Sequence, residues 1–194
     1  MKEVWVVVGD SFSDPAHAGY GEYGVRAWPL VLADAIGVEV RCYASSGDGY
    51  VHRRAETFPE QARRAAADAP ALGPVSRVVV YGGINDYSMG VDPADVGKAA
   101  AETAMVLVAA FPDAHVEGFM NWYPHELDAP ARDCIAAIRE GLGRAGVPLS
   151  TDSMWILEND EVGGSYLPDN LHPDQRGHNL MAAFFAMSRR IDCR

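Results

Sequence analysis

The sequence predicts an α/β fold, a three-layer α/β/α sandwich in which a parallel sheet of about five strands lies between two layers of helices. Three observations carry that expectation. Short apolar runs rich in Val, Tyr or Phe recur along the chain, each bounded by Gly, Pro, Asp or Asn. Ala-rich segments of helical character alternate with them, as right-handed crossovers between parallel strands require. The 194 residues suffice for one substantial core. No repeat, low-complexity tract or linker divides residues 1–194, so the chain is read as a single domain.

Taken in order, the first strand is expected over residues 3–8, where the run Trp5 to Val8 halts at Gly9-Asp10-Ser11. A helix follows over 27–36, then a strand over 38–43 and a helix over 55–69. The third strand, 77–81, leads to a helix over 94–111, with Asp92 as N-cap and Pro93 as its first residue. Ala99, Thr103, Val106, Leu107 and Ala110 share one face of that helix at helical spacing. A strand at 116–120 precedes a helix over 129–145, which Gly146 ends before a short strand at Val147-Pro148-Leu149. The final helix, 174 to about 190, carries an apolar stripe of Leu180, Met181, Phe184, Phe185 and Met187. Loops 14–26, 82–91, 121–128 and 150–172 are longer than connection demands, which in an α/β domain is a mark of function.

Composition excludes several classes of partner. The hydrophobic fraction of 48% and the charged fraction of 22% are those of an ordinary globular protein. A net charge of −11, spread along the chain, argues against nucleic acid, whose phosphates need clustered Lys and Arg. Cys42, Cys134 and Cys193 show neither metal-ligand spacing nor a disulfide framework, and Cys42 and Cys134 read as small core residues. No stretch reaches the ~20 apolar residues of a membrane span. The first apolar run is too short for a signal-peptide core, which makes the cytoplasm the default expectation.

In a parallel sheet, ligands bind outside the carboxyl ends of the strands. The first predicted strand is followed by Gly9-Asp10-Ser11, the second by Ala44-Ser45-Ser46-Gly47-Asp48-Gly49 and the third by Gly82-Gly83-Ile84-Asn85-Asp86. Leu167-Pro168-Asp169-Asn170-Leu171-His172-Pro173 stands before the last helix. A serine, a glycine turn, an asparagine and an Asp/His pair are thereby expected on one rim. Any one of these fragments is common turn chemistry, and a helix N-cap is the rival role for Ser11. Four in order at successive strand ends form a joint signal.

These blocks resemble the SGNH hydrolases, also called GDSL-type esterases and lipases. The match is Gly9-Asp10-Ser11, Gly47, Gly83-Ile84-Asn85-Asp86 and Asp169-Asn170-Leu171-His172, in family order over residues 9–172. The resemblance implies a flavodoxin-like arrangement of the sheet and hydrolysis of carboxylic esters. It implies Ser11 as nucleophile, His172 as general base and acid, and Asp169 as orienter. The backbone N–H of Ser11, the backbone N–H of Gly47 and the side-chain amide of Asn85 would form the oxyanion hole. No metal or organic cofactor is implied, and the expected partner is a small-molecule or glycan ester.

The residue types suit that chemistry. A serine hydroxyl needs a base within hydrogen-bond reach. The three-residue spacing of Asp169 and His172 lets one turn hold a carboxylate against one imidazole nitrogen while the other faces outward. Asp10 and Asp86 are read as braces of their own turns, and His17, His52, His115, His125 and His178 as solvated or locally hydrogen-bonded. Aspartates after strands bind Mg²⁺ in many α/β proteins. A metal site built from Asp10, Asp86, Asp169 and His172 is the rival arrangement, but no P-loop accompanies it and Gly47 and Asn85 would go unused. The aromatics Tyr20, Tyr23, Tyr50, Tyr87, Trp122, Tyr123, Trp155 and Tyr166 divide between loop packing and the wall of an acyl or sugar pocket. The lack of a long apolar lid favours short acyl groups, such as O-acetyl on a carbohydrate. A non-catalytic glycan-binding module, or an acyltransferase, thioesterase or lipase with the same triad, are the alternatives.

Overall fold

The computed structural model describes residues 2–120, 127–154 and 165–188. Five parallel strands form its sheet: β1 (Val4–Gly9), β2 (Glu39–Cys42), β3 (Val75–Tyr81), β4 (His115–Phe119) and β5 (Leu149–Ser150), in the order β2-β1-β3-β4-β5. That order is the flavodoxin-like one, and it places the switch point between β1 and β3. Seven α-helices accompany the sheet among the described residues: α1 (Ala18–Tyr23), α2 (Trp28–Ile36), α3 (Phe58–Asp68), α4 (Ile84–Ser88), α5 (Pro93–Ala110), α6 (Ala129–Gly143) and α7 (Gln175–Ser188).

Burial of both sheet faces follows from the two-residue period of the strands. Val6, Val8, Val78 and Val80 point into one core with residues of α3, α5 and α6. Trp5, Val7, Val79 and Tyr81 point into the other with Trp28, Leu32, Met181 and Phe185 of α2 and α7. Every residue of β1 is buried, which a central strand covered on both faces requires.

Several boundaries move for identifiable reasons. The helix expected over 55–69 starts only at Phe58, because the Asp48 carboxylate accepts the N–H groups of Arg54, Ala55 and Glu56 and holds them as a loop. Thr57 and Glu60 then form a reciprocal capping box. Asp92 caps α5 as expected, accepting from the Ala94 N–H at 2.8 Å. Its buried stripe is Val96, Ala100, Thr103, Ala104 and Leu107, whereas Ala99, Val106 and Ala110 lie at the margin, because α5 is clasped by α3 and α6 together. In α7 the inward residues are Met181, Ala182 and Phe185, with Leu180 and Phe184 flanking and Met187 exposed. α1 and α4 fall inside stretches read as loops. The expected pocket residues Trp122, Tyr123 and Trp155, together with His125, Cys193 and the end of the last helix, lie outside the described residues.

Candidate active site

β1 carries the chain to the middle of the sheet's carboxyl edge, and a tight turn receives it there. The Asp10 carbonyl accepts from the N–H groups of Ser13 and Asp14, both at 3.0 Å, and Asp10 Oδ1 accepts from the Phe12 N–H at 3.1 Å. The buried amide of Gln61 in α3 clamps the strand end, donating to the Gly9 carbonyl at 3.0 Å and accepting from the Gly9 N–H at 2.9 Å. Ser11 is thus fixed at the head of the turn, and the Tyr20 hydroxyl of α1 holds its carbonyl at 2.9 Å.

The segment before α7 brings the imidazole to it. An isolated bridge between Tyr166 and Pro173, and a 2.8 Å bond from the Leu167 N–H to the His172 carbonyl, close residues 166–173 into a loop. Asn170 makes the reversal in a left-handed conformation, φ 55°, that asparagine tolerates well. Within this loop Asp169 Oδ1 accepts from the N–H groups of Leu171 and His172 at 2.9 and 3.0 Å, while Oδ2 lies 2.6 Å from His172 Nδ1. Desolvation alone would raise the Asp169 carboxyl, but the His172 ring and the two N–H donors outweigh it and hold the carboxyl below its ordinary range. With Nδ1–H directed at Asp169, His172 Nε2 presents its lone pair to Ser11 Oγ at 2.9 Å. The three side chains expected together stand in one line of hydrogen bonds.

The remaining expected residues form a cradle from the loops after β2 and β3, on the same carboxyl edge as Ser11. Asn85, in the first turn of α4, donates from Nδ2 to the Asp48 carbonyl at 2.7 Å, tying the turn after β3 to the loop after β2. Gly47 has φ +80°, the left-handed conformation that favours glycine, and a Cβ there would come within 2.8 Å of Arg54 Cδ. Among the described residues the N–H groups of Ser11 and Gly47 make no internal hydrogen bond. Asp86 does more than brace its own turn. Its buried carboxylate crosses to the next loop, where Oδ2 accepts from the Tyr50 N–H at 2.7 Å and Oδ1 from those of Val51 and His52 at 2.9 and 2.7 Å. Burial raises the Asp86 carboxyl, against the pull of those three donors.

The sequence reading missed the part played by His17. Its ring lies over that of His172 with centroids 4.2 Å apart, and its Nδ1 is 3.0 Å from Ser46 Oγ. Ser46 in turn donates from N and Oγ to Asp14 Oδ2, at 3.0 and 2.6 Å. One imidazole therefore touches the Asp/His loop and the residue before Gly47. Burial, then the neighbouring His172, lowers its pKa and favours the neutral ring. Only its place in the long loop 14–26 hinted at this, since its partners lie 29 and 155 residues away. His178 is not solvated either. It is fully buried, accepts from the Trp28 N–H at Nδ1 and packs edge-on against Tyr20. Tyr20 and Tyr50 are core residues and not pocket walls, since packing against His17 and Phe58 buries their rings. Asp10 and Asp86 spend carboxylate oxygens on backbone N–H groups, and no group of three or more His, Cys, Asp or Glu among the described residues is arranged to hold a metal ion.

Comparisons with known proteins bear on the family and the fold. The model of the GDSL-like Lipase/Acylhydrolase family matches residues 7–180. No curated protein matches the chain. Among solved structures, the psychrotrophic esterase EstA from Pseudoalteromonas sp., inhibited by monoethylphosphonate, superposes with TM-score 0.70 at 15% identity, covering 98% of this chain and 100% of its own. A lipolytic protein of the G-D-S-L family from Veillonella parvula gives 0.67 at 18%, covering 96% and 99%. A family two carbohydrate esterase from Clostridium thermocellum, in complex with cellohexaose, gives 0.68 at 17%, covering 99% of this chain and 65% of its own. At such identities the likeness is one of fold.

Proposed function

The chain belongs to the GDSL-like lipase/acylhydrolase family, and from that premise we propose that it is a serine esterase acting through Ser11, His172 and Asp169. The observation that carries the reading is the unbroken line from Ser11 Oγ to His172 Nε2 at 2.9 Å and from His172 Nδ1 to Asp169 at 2.6 Å. A domain that only binds glycans has no use for a serine and a carboxylate aligned on the two nitrogens of one imidazole.

In the proposed mechanism Ser11 Oγ attacks the ester carbonyl carbon while its proton passes to His172 Nε2. Asp169 keeps the ring in the Nδ1–H tautomer and stabilises the imidazolium. Charge developing on the carbonyl oxygen meets the N–H groups of Ser11 and Gly47 and the Asn85 amide; losing one such donor costs on the order of 10²–10³ in rate. Collapse breaks the carbon–oxygen bond to the alcohol, which leaves with the proton from Nε2. Water then attacks the acyl-enzyme, giving a proton to His172, and Ser11 takes it back as the acid departs. An alcohol in place of water would turn the same cycle into acyl transfer.

Short acyl groups, such as O-acetyl on a carbohydrate, are the proposed substrate class. The likeness to a carbohydrate esterase crystallised with cellohexaose supports it. A fluorophosphonate probe tests the mechanism: it should label the wild-type protein and leave Ser11→Ala unlabelled. Failure to label wild type, in a preparation that binds acetylated sugars, would replace the esterase by a binding module.

A further inference from the structure

We propose that Arg54 forms a subsite for a negative charge, so that the ester processed at Ser11 carries a carboxylate or a phosphate on its acyl or alcohol part; this rests on the esterase reading above. Arg54 is exposed, and among the described residues its guanidinium makes no hydrogen bond or ion pair. The carboxylates around it are already engaged. Asp48 is taken by three backbone N–H groups and Gln61, Glu56 by Arg64, and Glu60 by Arg53 and Thr57. Asp14, across the rim, is taken by Ser46 and Ala16.

The place of this free cation is what gives it meaning. Its stem lies on Gly47, in the loop after β2 on the same carboxyl edge as Ser11: a methyl built there would meet Arg54 Cδ at 2.8 Å, Cβ at 3.4 Å and Cγ at 3.6 Å. The Arg54 charge also acts on His17, whose ring covers His172. Lys2 and Arg139 likewise have no ion pair among the described residues, and Arg132, in the first turn of α6, spends its guanidinium on the Leu127 carbonyl. Lys2 precedes β1 at the opposite end of the sheet, and Arg139 lies well down α6, away from the carboxyl edge. In a chain of net charge −11, an anionic ester is repelled at long range. A guanidinium on the Gly47 side of the carboxyl edge supplies a cation there and offers two parallel N–H donors that fit carboxylate or phosphate.

The test is kinetic and uses matched esters. 4-Nitrophenyl hydrogen adipate against 4-nitrophenyl hexanoate places the charge on the acyl side. 4-Acetoxybenzoate against its methyl ester places a carboxylate on the alcohol side, and 4-acetoxyphenyl phosphate against its dimethyl ester places a phosphate there. The wild-type protein should favour the charged member of at least one pair by about 10-fold in kcat/KM, chiefly through KM, with a preference that fades as salt rises. In Arg54→Met, whose apolar stem still covers Gly47, the charged-to-neutral ratio should fall about 10-fold, and Arg54→Lys should keep part of it. A ratio of one or less for every ester, or a ratio that Arg54→Met leaves unchanged, overturns the subsite. If wild type hydrolyses none of these esters and resists fluorophosphonate, the esterase reading itself fails and the subsite with it.

Discussion

The two sides of the rim are built to different standards. On the cradle side, Asp48 and Asp86 are both 0% exposed and each accepts three backbone N–H groups, so the loop from Gly47 to Glu56 is pinned from within. On the imidazole side, the carboxylate is Asp169, whose side chain is 45% exposed and whose partners all lie within its own short loop. Donors for a developing oxyanion must stand in place before the charge appears, and buried carboxylates bonded to backbone provide such rigidity. In the proposed mechanism His172 must accept and return a proton, and the carboxylate that orients it is held only by its own loop. Losses on the cradle side are therefore expected to act first on stability, and losses on the imidazole side on rate.

The largest effect expected from that contrast is on rate. Asp169→Asn should lower kcat by about 10³–10⁴-fold, through the wrong tautomer of His172, while thermal unfolding stays within a few degrees of wild type. A comparable loss of Tm would put Asp169 among the structural carboxylates. Next comes Asp86→Ala. It leaves the N–H groups of Tyr50, Val51 and His52 without their acceptor and should cost about 3 kcal/mol in urea unfolding, with activity falling as well. Stability unchanged in that variant would erase the distinction drawn here.

The smallest effect concerns pH, and it sharpens the same division. Burial pushes the His178 pKa down to about 3. Its folded value lies below its unfolded one, so the unfolded chain takes up the proton first. The contribution of His178 to stability is complete above pH 6.5 and is lost as pH falls through 6.5 toward 3, at up to about 1.4 kcal/mol per unit. Between pH 7 and 5 this one group should account for about 2 kcal/mol, measured as the difference in acid sensitivity between wild type and His178→Gln. An identical pH dependence in the two proteins would show that His178 takes up its proton in the folded state. Because Tyr20 links His178 to the Ser11 carbonyl, acid should loosen the nucleophile turn through the core, and not through the exposed Asp169.

The fold was legible because both faces of the sheet are buried, which turns strands into continuous apolar runs at regular intervals. Ser11, Gly47, Asn85, Asp169 and His172 were legible as candidates because each sits at a strand end or before the last helix, inside a short local pattern. What the sequence hid is long-range. Nothing near Asp86 announces that it serves residues 50–52, and nothing near His17 announces Ser46 and His172. The delayed start of α3 is of the same kind, since a carboxylate from an earlier loop competes for N–H groups that the Ala-rich pattern assigns to a helix. Short helices such as α1 and α4 have too few turns for periodicity to register.

The bond between Ser11 and His172 spans 161 positions along the chain. A ribosome therefore delivers the hydroxyl long before the imidazole. On the proposed mechanism the serine has no partner to sharpen it until that imidazole arrives, and should be inert toward esters until then. Turnover, on that reading, should report on completed folding, since a chain that has formed β1 but not docked the segment before α7 lacks the imidazole.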